Sequence, residues 1–237
     1  MPSKQVSLKD VLGNVFSTTN TQIANHIIFG TGTIQTTQFH ILGTEESTIF
    51  GVDEAMEMAK HVLSIDKNDT KPIILLVDVV GQKLSKRDEW LGMYACFAHL
   101  LKCLHLARKK GHKLFSLIYN QAIGGSFIAF GMMADRIYAL PNATLAVMWL
   151  EGMAKVTKID IDVLKKISET SPVFAPGVDN FKKLGGLHEV LSLDAVAQHI
   201  MAVINEANLE LDNRAKLGKE YGGRTKAFDI IAQVENL

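Results

Sequence analysis

Two apolar segments with a helical pattern between them constrain the fold of this chain more than any other feature. "KPIILLVDVVGQ" (residues 71–82) and "HKLFSLIYNQA" (residues 112–122) are nearly continuous apolar runs, which is typical of strands buried on both faces. The pattern between them, from about Lys86 to Lys110, predicts one long helix that ends at the capping residue Gly111. Strand, helix and strand in this order predict two parallel strands joined by a helical crossover.

The flanking segments extend this α/β pattern. Residues 26–53 contain β-branched runs broken by glycine, which indicate hairpins, and residues 53–66 form an amphipathic helical pattern. "RIYALPNATLAVM" (residues 136–148) predicts a strand, a Pro-Asn turn and a second strand. From about Glu151 onward the chain is predicted to be mostly helical, with a last long helix over residues 193–215. The order of these elements predicts a parallel sheet covered by helices.

Length and charge favour one ordinary globular unit. The chain has 237 residues and a formal net charge of zero, so it offers no strong field for nucleic acid or an anionic membrane. We expect a single domain over residues 1–237, with the polar residues 1–25 loosely attached. No apolar run reaches the roughly 18 residues of a membrane span, and the first residues lack the apolar stretch of a signal peptide.

Cysteine placement indicates a reducing compartment. Cys96 and Cys103 are predicted to lie on one helix, about 10 Å apart along its axis, and this separation is too large for an unstrained disulfide. The sequence therefore predicts a cytoplasmic protein.

A glycine pair stands where the second apolar strand passes into an apolar helix, in "IGGSFIAFGMMAD" (residues 123–135). The first N–H groups of a helix have no partners inside it, and the helix dipole adds positive potential there. Because glycine has no Cβ, a ligand oxygen can approach the backbone of Gly124, Gly125 and Ser126 closely. The turn is therefore a candidate oxyanion hole. The alternative is a glycine pair needed only for close packing of the helix on the strand.

The end of the first apolar strand is the second candidate site. Asp78 and Gly81 follow its apolar residues, and ligands of open α/β sheets collect at the carboxyl ends of strands. We therefore expect Gly81 and Gln82 to share one rim with the Gly124 turn. Asp78 either caps a turn or shapes the site. Gln82 either donates its amide to a ligand carbonyl or is solvated.

Three further segments carry open alternatives. Phe174 stands between two prolines, and it forms either a wall of an acyl pocket or part of a plain crossing loop. Arg224 in "YGGRTK" either binds a phosphate at a helix start or belongs to a turn. Arg87, Asp88 and Glu89 are expected to be a solvated first helical turn.

Ser126 is also a candidate nucleophile, but a serine nucleophile needs a nearby histidine and a carboxylate. His105, His112 and His188 occur in no recognisable context for this role. We therefore expect Ser126 to act as a backbone donor or a helix cap. No Cys/His cluster has the spacing of a metal site.

Four segments together resemble a known family, the gamma subunit of biotin-independent malonate decarboxylase. They are "VDVVGQKLSKRDEWLG", "LARKKGHKLFSLIYNQAIGGSFIAFGMMADRIYALPNA", "MAKVTKI" and "SPVFAPGVDNFKKLGGL". The resemblance is strongest over residues 70–190. It implies an α/β, crotonase-like (ClpP/crotonase) fold built as a superhelix of ββα units, of the carboxyltransferase type.

The resemblance also implies a function. A homologous beta subunit would complete an active site that converts malonyl-S-acyl-carrier-protein to the acetyl thioester and carbon dioxide. The malonyl group would be carried on the dephospho-coenzyme A-derived group of the carrier, with no cofactor or metal bound by this chain. An acyl transferase subunit would be a further partner, and the chain would be active only in the complex.

Matched positions then receive roles. The resemblance makes Gly124, Gly125 and Ser126 the oxyanion donors, with Gly81 and Gln82 on the facing loop. Two alternatives stay open. One is a coenzyme A thioester isomerase or hydratase of the same fold, which needs an acidic general base. The other is a non-catalytic scaffold for the beta subunit.

Overall fold

The computed structural model describes residues 5–65, 67–171, 175–206, 209 and 212–236. Within these ranges nine strands form one sheet: β1 (Thr18–Ala24), β2 (Ile27–Ile34), β3 (Thr37–Thr44), β4 (Thr48–Phe50), β5 (Ile73–Gln82), β6 (Leu114–Ile123), β7 (Arg136–Ala139), β8 (Thr144–Ala146) and β9 (Glu189–Val190). The α-helices described are α1 (Leu8–Val15), α2 (Val52–Ser64), α3 (Lys86–Trp90), α4 (Met93–Lys109), α5 (Gly124–Phe130), α6 (Leu150–Thr157), α7 (Ile161–Thr170), α8 (Val178–Lys183), α9 (Val196–Val203), α10 (Arg214–Glu220) and α11 (Thr225–Glu235).

The sheet combines an antiparallel edge with a parallel centre. Its strand order is β1-β2-β3-β5-β6-β7-β9, with β4 added to β5 and β8 added to β6. β2 and β3 form a hairpin in the segment where hairpins are predicted, and β1 adds an antiparallel strand from outside that segment. Every other pairing is parallel. The predicted parallel arrangement of the two apolar segments is confirmed, because β5 pairs with β6 along its length.

Helices cover both faces of the sheet. α2 and α4 pack on one face, where Met58, Leu100 and Val77 belong to one buried cluster. α1 and α9 pack on the other, where Val11 and Ile200 lie in a second cluster. None of the described helices is long and apolar enough to cross a lipid bilayer.

The long helix predicted between the two central strands is interrupted. α3 ends at Trp90 and α4 begins at Met93, because Gly92 adopts a left-handed conformation with φ +74° that an α-helix does not accommodate. The helix then ends as predicted, with Gly111 just beyond it at φ +98°.

The described part of the N-terminal segment is packed against the sheet, so the expected loose attachment of residues 1–25 is wrong there. Val11 and Val15 on α1 are buried. Asn120 on β6 binds the main chain of Val6 twice, accepting its N–H at 3.0 Å and donating to its carbonyl at 2.8 Å. The buried residues Val11 and Val15 lie on one side of a short helix in an otherwise polar stretch. The composition of the segment therefore did not indicate their burial.

The first turn of α3 differs from the solvated turn that its charges predict. Its neighbours Arg87 and Glu89 are exposed, but Asp88 is buried. The Oδ1 atom of Asp88 accepts the N–H of Val52 at 2.9 Å, at the start of α2. One carboxylate therefore caps a second helix, and its approach requires Gly51, where a Cβ would lie 2.4 Å from Oδ1.

The prediction of one last long helix over residues 193–215 is also wrong. A short 3₁₀ turn at Leu193–Ala195 precedes α9, which ends at Val203, and α10 begins only at Arg214. Asn205 and Asn213 flank this break, and asparagine favours turns because its side chain competes for backbone hydrogen bonds. The apolar periodicity of α9 does not continue through them.

Both central strands bend at Asp78, which lies within β5 rather than at its end. Val77 pairs with Ile118 and Val79 with Ala122, so one residue of β5 faces three of β6. Such a bulge bends a strand and removes main-chain groups from the ladder. Asp78 compensates by accepting three N–H groups: from the main chain of Ser47 at 2.9 Å, the main chain of Gln121 at 3.2 Å and the side chain of Asn120 at 3.3 Å.

Beyond the bend the strands change neighbours. The first half of β5 pairs with β3, and its last residues pair with β4. The first half of β6 likewise pairs with β7, and its last residues pair with β8. The ends of β5 and β6, flanked by β4 and β8, therefore form the part of the sheet that carries both predicted glycine loops.

Replacing Asp78 with asparagine should destabilise the protein. The variant loses the charge that strengthens hydrogen bonds to buried N–H donors, so the free energy of unfolding should fall by about 2–3 kcal/mol in urea denaturation. Asp162→Asn is the matched control, since that side chain is 83% exposed, and it should change stability by no more than about 0.5 kcal/mol. Equal effects of the two substitutions would contradict the assigned role of Asp78.

Candidate active site

The structure brings the two predicted glycine loops together. Gly124 begins α5 with φ +70°, a conformation that favours glycine. A Cβ built on Gly124 would lie 2.9 Å from Oε1 of Gln82, 3.7 Å from Cα of Gly81 and 3.9 Å from the carbonyl oxygen of Val147. The end of β5, the start of α5 and the residue after β8 therefore surround one point.

The Gly125 amide points toward the facing loop. Its N–H donates to Oε1 of Gln82 at 3.2 Å, and Gly125 is half-buried. Oε1 is an amide carbonyl oxygen, which is the same kind of acceptor as the carbonyl oxygen of a thioester. The turn thus presents one main-chain donor to a carbonyl oxygen that lies outside the helix.

Ser126 does not offer its hydroxyl to this point. Its side chain is fully buried, and Oγ donates to the carbonyl of Ile123 at 3.0 Å. His105 is exposed on α4, and His112 donates to a main-chain carbonyl just before β5 at 2.7 Å. Within the described ranges no histidine is bonded to Ser126, so the hydroxyl is not a nucleophile of the triad type. Its role as a main-chain donor stays a prediction.

An apolar cavity of about 200 Å³ lies beside the turn. Val147 lines it, and the carbonyl of the same residue approaches Gly124. The other apolar side chains that line it are Met132, Ala146, Met148, Met153, Ala175, Pro176, Phe181 and Leu184. Arg224, the residue of the predicted phosphate-binding turn, also contributes to the lining. Phe174, the predicted wall of an acyl pocket, lies outside the described residues.

Sequence patterns did not identify the residues after β8 as part of the site. Val147, Met148 and Trp149 are 60%, 42% and 44% exposed, although they continue an apolar run. An apolar run that extends beyond its strand is a signal for such a rim, since exposed apolar patches mark binding surfaces.

Comparison with solved structures shows that the chain has the crotonase-like, carboxyltransferase-type fold. A chain of a Pseudomonas malonate decarboxylase hetero-tetramer in complex with coenzyme A matches with TM-score 0.71 and 22% identity, over 89% of this chain and 89% of that one. Transcarboxylase 12S matches with TM-score 0.71 and 21% identity, over 86% of this chain and 42% of that one. The predicted fold class is confirmed.

Sequence comparison identifies the family within this class. The sequence model described as "Malonate decarboxylase gamma subunit" matches residues 45–237. The malonyl-S-ACP:biotin-protein carboxyltransferase MADD of Malonomonas rubra is 33% identical over 208 residues, which are 79% of this chain and 71% of the relative. The chain belongs to the malonate decarboxylase gamma subunit family, and the resemblance seen in its motifs is confirmed. It is therefore a subunit of a decarboxylase or carboxyl-transfer enzyme.

Alanine should have opposite effects on stability at the two glycines of the turn. Gly124→Ala should lower the free energy of unfolding by about 1–2 kcal/mol, because alanine is strained at φ +70° and its Cβ would lie 2.9 Å from Oε1 of Gln82. Gly125→Ala is the matched control. Gly125 lies in helical backbone, and the nearest atom to an added Cβ is 3.6 Å away. Alanine there should stabilise the helix by up to about 1 kcal/mol. Urea denaturation of both variants measures the difference, and a loss of stability in Gly125→Ala equal to that in Gly124→Ala would contradict this account.

His188 should make stability depend on pH. Its Nδ1 accepts the N–H of Ile137 at 3.1 Å, and its Nε2 donates to Asn213 at 3.0 Å, an arrangement of the neutral ring. Burial, with a smaller effect from Arg136, lowers the pKa of His188 to about 4. Below its ordinary pKa near 6.5 the unfolded chain takes up a proton that the folded chain does not. Stability is therefore lost as the pH falls from about 6.5 toward 4.

The measurement is urea denaturation of the wild type and His188→Gln at pH 7.5 and pH 5. Between these values the wild type should lose about 2 kcal/mol more than the variant, because glutamine does not titrate. Identical losses in the two proteins would show that His188 is not held neutral.

Proposed function

We propose that this chain and a homologous beta subunit together decarboxylate a malonyl thioester carried by an acyl carrier protein. The C–C bond to the carboxylate breaks, carbon dioxide leaves, and the electron pair moves into the thioester carbonyl as an enolate. The carbon then takes a proton from water or a partner residue to give the acetyl thioester. The barrier falls when hydrogen-bond donors already point at the oxygen that becomes negative.

One observation carries this proposal: the Gly125 N–H is directed at a carbonyl oxygen outside its own helix, at 3.2 Å. A donor of this kind contributes roughly 3 kcal/mol to transition-state stabilisation. Gly124 and Ser126 are the proposed neighbouring main-chain donors. Gly81 and Gln82 form the facing wall of the site.

The cavity beside the turn fits the arm of an acyl carrier. Its lining is mainly apolar, and Arg224 supplies a positive charge there, which suits a flexible arm with an anionic group. The Malonomonas rubra relative is named for a malonyl-S-ACP substrate. We expect the arm to be the dephospho-coenzyme A-derived group of the carrier, with no cofactor bound by this chain. The acyl transferase that loads the carrier would be a further partner, and the assembly would be cytoplasmic.

An exposed apolar rim supports a beta subunit partner. Leu84, Trp90 and Tyr94, from the segment after β5, are 85%, 77% and 71% exposed. Val147 next to Gly124 is 60% exposed. Aromatic residues are enriched at protein interfaces, and a heterodimer that covers Val147 would exclude water from the Gly125 donor.

The isomerase or hydratase alternative has less support. Such an enzyme needs a carboxylate poised as a general base. The nearest atoms to the Cβ positions of Gly124 and Gly125 belong to Gln82, Gly81 and Val147. Among the described residues these nearest groups supply no carboxylate.

The name of the Malonomonas rubra relative favours a second candidate, in which the carboxyl group passes to a biotin protein. Both candidates need the same enolate, and they differ in the carboxyl acceptor. Avidin, which sequesters biotin, discriminates them. The proposal expects an unchanged rate of carbon dioxide release from malonyl-S-acyl-carrier-protein in its presence, whereas a dependence on biotin would establish the second candidate.

Gly125→Val tests the proposed donor in the assembled complex. The bulky side chain would cover the amide, so kcat/KM for carbon dioxide release should fall by about 100-fold or more. Gly13→Val is the matched control, because Gly13 lies on α1 with no atom within 4 Å of an added Cβ, and it should keep the rate. If Gly125→Val still assembles with the beta subunit and keeps full activity, the chain is a scaffold and the proposed function is wrong.

A further inference from the structure

We infer that Gln82 is an internal placeholder for the substrate oxygen, and that its side-chain carbonyl must leave the Gly125 amide before a ligand can bind there. This inference rests on the proposed function, since it assigns an occupant to the same donor. Gln82 is accordingly a positioning residue that sets how strongly an acceptor must bind to gain the site.

The location of Oε1 carries the inference. It accepts the Gly125 N–H at 3.2 Å. It also lies 2.9 Å from the Cβ position of Gly124 and 3.6 Å from that of Gly125. The oxygen therefore occupies the space above the glycine pair that the missing side chains leave open. Oε1 and a ligand oxygen cannot both accept the Gly125 N–H with good geometry.

The placeholder is held weakly and has room to move. Among the described residues Nε2 of Gln82 donates no hydrogen bond, so within them the bond from Gly125 is the polar attachment of its side chain. The preceding Gly81 has φ +127° and no atom within 4 Å of an added Cβ. Releasing the side chain therefore costs one neutral hydrogen bond, which corresponds to about a fivefold change in an equilibrium constant.

This arrangement makes every acceptor compete with Gln82 for the Gly125 amide. In the free chain Gln82 satisfies a half-buried donor that would otherwise be left without a protein partner. A neutral carbonyl that displaces Gln82 replaces one bond by another of the same kind. An enolate or carboxylate oxygen forms a bond about twice as strong, so displacement favours the negatively charged species. Displacement of Gln82 costs the ground state and the transition state the same free energy, so the placeholder weakens binding of both without changing the difference between them.

Two variants of Gln82 test the inference in the assembled complex with malonyl-S-acyl-carrier-protein. Gln82→Met keeps the length of the side chain but lacks the carbonyl, so KM should fall about fivefold with kcat unchanged. Gln82→Glu places a charged acceptor on the amide and repels the malonyl carboxylate, so KM should rise about tenfold. Gln38→Met and Gln38→Glu are matched controls at an exposed position of β3, and neither should change KM. A higher or unchanged KM in Gln82→Met would overturn the inference.

A readout without turnover separates this inference from the proposed function. In the full-length chain alone, hydrogen exchange of the Gly125 amide should be about fivefold faster in Gln82→Met than in the wild type, because the protecting bond is gone. The unfolding equilibrium constant from urea denaturation should change by no more than the same fivefold, which excludes a general loss of structure. Equal exchange rates would overturn the inference whatever the activity. A wild-type complex that releases no carbon dioxide, together with the faster exchange, would instead refute the proposed function and leave the placeholder bond established.

Discussion

The carboxylate of Asp78, which accepts three N–H groups at the bulge between β5 and β6, is the interaction on which the site depends. A bulge removes main-chain donors from the ladder, and buried donors without partners cost free energy. Asp78 supplies the missing acceptor at the point where the strands change neighbours. The ends of β5 and β6 therefore take new neighbours, β4 and β8, at the same level of the sheet, and their glycine loops meet.

The site where the two loops meet is formed mainly by main-chain groups and small residues. Gly124 supplies a left-handed conformation, and Gly125 leaves its amide open to an oxygen from another segment. Both glycines lie at the start of α5, directly after β6. The hydrogen bonds that hold these two elements therefore also fix the position of the Gly125 amide. The adaptable part of the site is a side chain, Gln82. A rigid donor facing a movable acceptor is a simple way to keep a polar site satisfied before its ligand arrives.

The fold was largely predictable because its central strands and helices follow from local sequence patterns, which do not depend on contacts with distant residues. The apolar runs of β5 and β6 identify buried parallel strands, and the glycine pair at the start of α5 marks a turn that another segment approaches closely. Features that depend on distant contacts were not predictable. Burial of Asp88 requires the start of α2, and ordering of the N-terminal segment requires the side chain of Asn120.

The site was predictable only in part, for a related reason. Strand order places Gly81, Gln82 and Gly124 on one rim, but the bond from Gly125 to Gln82 depends on a side-chain rotamer, which a residue pattern does not specify. The apolar wall around Val147 was missed because exposure, rather than hydrophobicity, distinguishes it from the buried strand before it.

The double hydrogen bond between Asn120 and Val6 ties the beginning of the chain to the bend that supports the glycine loops. Asn120 also donates to Asp78. Val6 is therefore connected to the carboxylate at the bulge through one side chain, that of Asn120. A truncation that removes Val6 would therefore disturb the Asn120–Asp78 interaction that supports the site, although Val6 lies outside the glycine turn. For anyone redesigning this protein, the described segment from Val6 to Val15 is structural and should be kept.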